Sequence, residues 1–86
     1  MMIRVIKLVN NLVLISKIEE LSVDIGEPDC KLIQPFFVEF NNNSYILSPW
    51  MVEYTEQSIL MISSDKILTI VEPNNNLLKK YEELIN

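Results

Sequence analysis

The chain has 86 residues, 49% of them hydrophobic, with 12 acidic and 7 basic residues and a formal net charge of −5. A single domain of this size buries only about 60–65% of the surface that its unfolded chain exposes, so a neighbouring subunit is expected to cover part of the apolar surface. The negative charge repels a phosphate backbone unless the few cations share one face.

Several kinds of chemistry lack the residues that they need. The sequence has no histidine, which is the commonest general base and a common ligand of transition metals. Its single cysteine, Cys30, excludes an intrachain disulfide and fits a reducing compartment. No apolar run approaches the ~20 residues that cross a bilayer, and the N-terminus has no signal-peptide core. We therefore predict a cytoplasmic protein that is not an enzyme, binds no metal or cofactor and does not enter a membrane.

The first half of the chain predicts a β-hairpin followed by a loop. Residues 2–9 and 12–23 are rich in Ile and Val, and an Asn-Asn pair between them is typical of a turn. Residues 24–29 contain the only glycine, Gly26, which is expected to take a positive φ angle in a loop.

A second hairpin is predicted over residues 30–40 and 44–62. Alternation with a period of two places Cys30, Leu32, Phe36, Val38 and Phe40 on one face of the first of these strands. If Asn41, Asn42 and Asn43 form the whole loop, Pro35 lies opposite Pro49. Neither proline can donate an N–H, so the hairpin is expected to bend at that rung, as strands do where a small barrel closes.

The stretch from 58 to 73 contains two short apolar runs on either side of a polar turn. The first run completes the strand over 44–62, and the second predicts a fifth strand at about 66–72. The turn between them consists of Ser63, Ser64, Asp65 and Lys66.

A short amphipathic helix is predicted over residues 75–85. Leu77, Tyr81 and Leu84 share one helical stripe, and the asparagines at 74–76 are N-cap candidates. A helix of about ten residues does not persist alone, so it is expected to dock on the sheet or on a neighbouring subunit.

This order of elements resembles the Sm/LSm fold. The segment Ile62-Ser63-Ser64-Asp65-Lys66-Ile67-Leu68 is similar to the second Sm motif, in which Ile-Arg-Gly leads through a polar pair into a short apolar strand. Ser63 stands at the position of the Arg that contacts RNA, and Ser64 at that of the Gly. Asp29 and Lys31 are the nearest counterparts of the Asp and Asn in the first Sm motif. The N-terminal helix of the family is missing, and overall the chain most resembles the divergent Sm-like proteins of marine phages (cyanophages).

The resemblance implies a mostly β fold, a small and strongly bent five-stranded antiparallel barrel, here with a short C-terminal α-helix. It also implies a closed homo-oligomeric ring that binds RNA or other single-stranded nucleic acid. The implied nucleic-acid-binding residues are Ser63, Ser64, Asp65, Lys66, Lys31 and Asp29. The implied ring interface consists of Ile59, Leu60, Met61, Ile62, Ile67, Leu68 and Ile70, and as unpaired edges such apolar strands would promote aggregation.

The candidate binding residues also have explanations that involve no ligand. The turn at 63–66 could be an ordinary hairpin turn. The aromatic residues Trp50, Tyr45 and Tyr54 could stack on bases, but they could also pack in the core. The acidic residues between 19 and 29 do not have the spacing of a calcium loop. Cys30 fits a buried small residue on an apolar strand face.

Three functions therefore follow from the sequence. The first is a ring-forming protein that binds nucleic acid without catalysis. The second is an acidic homo-oligomeric adaptor module that binds protein. The third is a barrel that binds a small molecule, for which a barrel this small leaves little interior room.

Overall fold

The computed structural model describes residues 2–86. It is mostly β with one C-terminal helix, as predicted. The elements are β1 (Met2–Leu8), β2 (Val13–Glu20), β3 (Cys30–Asn41), β4 (Ser44–Pro49), β5 (Ile59–Ile62), β6 (Ile67–Val71) and α1 (Asn75–Ile85), with a single 3-10 turn at Ser64–Lys66.

The strands form one antiparallel sheet in the order β4-β3-β2-β1-β6, and β5 also pairs with β3. β5 pairs with the first part of β3, and β4 pairs with the second part. Within residues 2–86 no ladder joins β6 to β4 or β5, so the strand pairing does not close the sheet into a barrel.

The structure has six strands instead of five because the predicted strand over 44–62 is interrupted. Residues 50–58 leave the sheet as turns, starting after Pro49, which lacks an N–H, and passing through Met51 at a φ of 69°. Both ends of this excursion are tied to β3. The Trp50 N–H donates to the Pro35 carbonyl at 3.0 Å, and the Gln34 N–H donates to the Ser58 carbonyl at 2.7 Å.

The loop between β3 and β4 contains two residues rather than three. Asn42 and Asn43 have φ angles of 51° and 61°, which are the left-handed values that a two-residue type I′ turn requires. Asn41 therefore pairs with Ser44, and every pair in the hairpin is shifted by one residue from the predicted register. The prediction that Pro35 faces Pro49 was wrong, since Pro49 lies opposite Phe36.

β3 contains a bulge near the predicted bend. Ile15 pairs with Phe36 and Lys17 pairs with Ile33, so one residue of β2, Ser16, lies opposite both Gln34 and Pro35 of β3. Gln34 takes a φ of 53°.

The extra residue of the bulge reverses the alternation of side chains along β3. Leu32 packs with Phe37 in one cluster, whereas Phe36 and Val38 pack in another. The prediction that Leu32, Phe36 and Val38 share a face was therefore wrong. Phe36 and Val38, which follow the bulge at Gln34, lie on the face opposite to Leu32.

The two apolar clusters lie on opposite faces of the sheet. The inner cluster is centred on Ile6, Leu8, Leu14 and Leu32, and it also contacts Ile62 of β5 and Ile67 of β6. Because β5 and β6 lie at opposite ends of the strand order and still reach the same cluster, the sheet curls around it.

The outer cluster is covered by α1, so the predicted docking of the helix occurs on the sheet. Leu77 and Tyr81 are buried against Ile15, with Phe36 and Val38 at the margin. The helix begins as predicted at an asparagine cap, in which Asn74 Oδ1 accepts the Leu77 N–H at 2.8 Å.

The Tyr81 hydroxyl joins the helix to the bulge. It donates toward the Gln34 carbonyl at 2.8 Å, lies 3.3 Å from the Ile33 carbonyl, and is 3.3 Å from the Lys17 backbone N–H, which donates to it. Tyr81 has no exposed surface, and its ring meets Phe36 edge-on at 5.7 Å. Burial raises the pKa of the phenol above its ordinary value, which keeps the group neutral at physiological pH.

Replacing Tyr81 by Phe is expected to lower the free energy of unfolding by about 1–3 kcal/mol, because backbone groups at the bulge lose a buried partner. Tyr45→Phe is the matched control. It removes an exposed hydroxyl that accepts only from Asn74 Nδ2, and it should cost no more than about 1 kcal/mol. Urea denaturation at one fixed protein concentration measures both changes, and equal destabilisation by the two variants would contradict the role of Tyr81.

Candidate nucleic-acid interface

Two loops at one end of the sheet are joined by the Asp29 carboxylate. Asp29 Oδ1 accepts the backbone N–H of Ser64 at 2.7 Å, and Asp29 Oδ2 accepts the Ser64 hydroxyl at 2.6 Å. Asp29 immediately precedes β3, and Ser64 lies two residues beyond β5. Because Cys30 pairs with Ile62, the β2–β3 loop and the turn at 63–66 are neighbours.

This link changes the acidity of Asp29. The hydroxyl of Ser64 and then its backbone N–H hold the pKa of the Asp29 carboxyl below its ordinary value of 3.8, because both donors stabilise the ionised form. The folded-state pKa lies below the unfolded value. The link therefore contributes stability at pH values above 3.8, and that contribution is lost as the pH falls below 3.8 through the folded-state pKa.

The other predicted binding residues lie around this link. Asp65 and Lys66 are exposed on the 3-10 turn, whereas Ser63 is half-buried before it. The Lys66 carbonyl accepts the Val9 N–H at 2.9 Å, which ties the turn to the end of β1. Lys31 is half-buried on β3, two residues beyond Asp29.

The turn is therefore held from two sides, with charges at its surface. Among residues 2–86, neither Lys66 nor Lys31 takes part in an ion pair. Each ammonium group can therefore meet an anion without first breaking a salt bridge.

The predicted interface residues divide into two groups. Ile59, Met61, Leu68 and Ile70 are exposed, by 44–59% of their surfaces. Leu60, Ile62 and Ile67 are half-buried, and the latter two contact the inner cluster. The exposed group lies on β5 and β6, each of which has one edge without a strand partner, as β4 also has.

Cys30 is buried, as predicted, with 2% of its surface exposed. Burial raises the pKa of its thiol above the ordinary value, and the nearby Asp29 and Glu20 carboxylates add to this shift. A protonated and enclosed thiol is a poor nucleophile.

Two further features of the described residues bear on the type of site. They contain no group of three or more acidic or cysteine side chains arranged to hold a metal ion. The one α-helix among residues 2–86 has 11 residues and is too short to cross a membrane.

Sequence reasoning missed two functional features. The Tyr81 hydroxyl gave no signal, because Tyr81 sits on the apolar stripe of the helix as an ordinary core residue would. The excursion at 50–58 was also missed, although Pro49 and the polar run at 55–58 mark its ends.

Replacing Ser64 by Ala is expected to raise the pKa of the Asp29 carboxyl toward its ordinary value of 3.8, since the larger of the two lowering hydrogen bonds is removed. Carboxyl carbon chemical shifts followed by NMR against pH measure the change. Ser63→Ala is the matched control, because Ser63 makes no side-chain hydrogen bond at the turn. An unchanged Asp29 titration in Ser64→Ala would contradict the link.

The chain was compared with known proteins and families. No curated protein matches its sequence. The sequence model of DUF6561, described as a family of unknown function, matches residues 1–86. Because this match spans the whole chain, the protein belongs to the DUF6561 family.

Proposed function

We propose that this protein is a divergent Sm-like, ring-forming homo-oligomer of the cytoplasm that binds RNA, or other single-stranded nucleic acid, without catalysing a reaction. The observation that supports the proposal best is the pair of hydrogen bonds between Asp29 and Ser64. In the Sm/LSm family the corresponding loops carry the first and second motifs, and here the same two loops are fixed to each other.

The turn at 63–66 suits a ligand with phosphates and base edges. The Ser63 hydroxyl can donate to it, and Lys66 supplies an exposed positive charge without an ion-pair partner among residues 2–86. Ser64 has a different role, since its hydroxyl hydrogen is already donated to Asp29.

Assembly would concentrate positive charge locally, although the net charge remains −5 per subunit. One subunit has a net charge of −5 and offers only Lys66, Lys31 and a few other cations. A ring repeats the Lys66 turn once per subunit around one axis, and a strand that touches several turns binds multivalently.

The free edges of β5 and β6 support such a ring. They lie at opposite ends of the strand order, and both carry exposed apolar side chains. Pairing the β5 edge of one subunit with the β6 edge of the next is a head-to-tail contact, which closes into a ring when the rotation allows it.

Leu68→Lys is expected to reduce the assembly to monomers of 10.0 kDa, because a charged side chain on the β6 edge blocks strand pairing. The solution mass from light scattering checks this. Ile25→Lys introduces the same charge in the fully exposed β2–β3 loop and should leave the mass unchanged. A wild-type protein that remains monomeric at high concentration would contradict the ring.

Lys66→Glu is expected to weaken the binding of short uridine- or adenine-rich RNA by about tenfold or more at low salt, because an attractive contact becomes repulsive in every subunit. Fluorescence anisotropy at several salt concentrations measures this, and wild-type affinity should fall as salt rises.

Lys79→Glu makes the same charge change on the exposed side of α1 and is the matched control. It should alter the affinity far less than Lys66→Glu does. If wild-type protein fails to bind RNA even at low salt, the proposal is wrong.

An acidic adaptor module that binds protein is the second candidate. Val52 and Tyr54 in the excursion at 50–58 favour it, since both are exposed and Tyr54 keeps 81% of its surface. An assembly of normal mass that binds no RNA would favour the adaptor.

A further inference from the structure

The outer edge of β4 has no strand partner among residues 2–86, and the proposed ring does not use it. The strand, Ser-Tyr-Ile-Leu-Ser-Pro over Ser44–Pro49, carries no charged residue. Exposed edges commonly carry lysine or another charged side chain that discourages pairing with a second chain. The third residue of this strand, Ile46, instead leaves 48% of its surface exposed. The β4 edge is therefore open to one more strand.

The backbone of β4 presents hydrogen-bonding groups to this edge. The Trp50 N–H, just beyond the strand, donates to the Pro35 carbonyl at 3.0 Å, so Trp50 faces β3. Backbone groups of successive residues alternate between the two sides of a strand. Even-numbered residues of β4 therefore face β3, and the odd-numbered ones face outward. The outward residues are Tyr45, Leu47 and Pro49, and Pro49 has no N–H to donate.

The outward-facing part of β4 is held in place by α1. Tyr45 and Leu47 pack at the margin of the outer cluster. The Tyr45 hydroxyl accepts from Asn74 Nδ2 at 2.8 Å, and Asn74 caps the helix. An edge that is already ordered loses little conformational entropy when a partner strand binds.

The sequence of the edge is complementary to itself. Residues 44–48 read Ser-Tyr-Ile-Leu-Ser, so two copies can pair antiparallel about a twofold axis at Ile46. Tyr45 of each copy then lies opposite Leu47 of the other, and their outward N–H and C=O groups form a hydrogen-bonded pair on either side of the axis. Serine meets serine at both ends, and the exposed Ile46 side chain meets its own copy.

Pro49 selects this register. With the axis at Ile46, Pro49 falls opposite Asn43, which belongs to the turn at a φ of 61° and lies outside the ladder. Moving the axis to Leu47 brings Pro49 opposite Tyr45, whose carbonyl then has no donor. Moving it to Tyr45 sets Leu47 opposite the turn. Only the axis at Ile46 gives every outward N–H and C=O of Tyr45 and Leu47 a partner.

Charge permits this contact at physiological salt. Glu39 of β3, which pairs with Ile46, is the charged residue beside the centre of the contact. In the paired form the two copies of Glu39 are separated by three strand spacings, about 14 Å, which exceeds the Debye length of about 8 Å at physiological ionic strength. Two copies of net charge −5 still repel at low salt, so this association should strengthen as salt rises, whereas RNA binding should weaken.

We propose that β4 pairs with β4 of a second copy of this chain, antiparallel and about a twofold axis at Ile46. This contact goes beyond the proposed function, because the ring uses β5 and β6. A single strand pair is a small contact that does not by itself offset the entropy lost on association. A ring repeats it once per subunit, so two rings bind each other multivalently through β4.

Disulfide trapping tests the register. The two Ile46 residues form a non-hydrogen-bonded pair, in which Cα atoms lie about 4.5 Å apart, within the range that a disulfide spans. Ile46→Cys is therefore expected to yield a covalent dimer, of twice 10.0 kDa, under mild oxidation. Cys30 is 2% exposed and should not react, so wild-type protein is the blank.

Ser48→Cys is the matched control, since Ser48 is exposed on the same face of β4. The two introduced thiols would lie about 14 Å apart along the paired strands, so this variant should give at least about tenfold less dimer. Circular dichroism verifies that both variants are folded. Equal trapping by the two variants overturns the register, and stronger trapping by Ser48→Cys indicates a different alignment and also overturns it.

Ile46→Lys places two ammonium groups together on the axis and is expected to halve the solution mass of the wild-type assembly. Trapping through Ile46→Cys that persists in the Leu68→Lys background supports the β4 contact even if no ring forms, in which case the proposed function fails alone. An assembly whose mass is unchanged by Ile46→Lys, with no trapping through Ile46→Cys, overturns the β4 contact alone. That result would leave the edge to a strand of a different protein.

Discussion

The contact between the Tyr81 hydroxyl and the β3 bulge is the constraint on which the rest of the structure depends. At a bulge the ladder of hydrogen bonds is interrupted, so backbone N–H and C=O groups lose their partners. A buried group without a hydrogen-bond partner lowers the stability of the fold. The phenol of α1 meets this need at the Gln34 carbonyl, and the same side chain fills the outer cluster with its ring. One residue therefore fixes the helix to the sheet and makes the bulge tolerable.

The bulge in turn organises the two ends of β3. It reverses which side chains face inward, so Leu32 and Phe37 join the inner cluster while Phe36 faces the helix. The bulge also divides β3 into two parts. The part before the bulge pairs with β5, the part after it pairs with β4, and the excursion at 50–58 connects β4 to β5. The excursion at 50–58 and the Asp29–Ser64 link at the start of β3 are thus both held by one distorted strand.

The sequence predicted the elements better than their pairing. The apolar periodicity and the asparagine N-cap were sufficient to predict α1, because both depend only on residues that are close together in the chain. The register of the β3–β4 hairpin depends on which of three chemically identical asparagines take left-handed backbone, and the pattern does not distinguish them. The bulge depends on Tyr81, 47 residues away from Gln34 in the chain, so no local signal could reveal it. For the site, Asp29 and Ser64 were proposed separately, and only the pairing of Cys30 with Ile62 brings them together.

The position of Tyr81 also determines when the fold can be completed during synthesis. A ribosome makes Gln34 well before it makes Tyr81, so the first four strands of the chain can emerge while the bulge still lacks its partner. Until α1 arrives, Ile15 and Phe36 on the outer face also remain uncovered. The nascent chain therefore passes through a period in which an incomplete sheet exposes both an apolar face and unpaired edges. Both surfaces favour aggregation until α1 docks on the sheet.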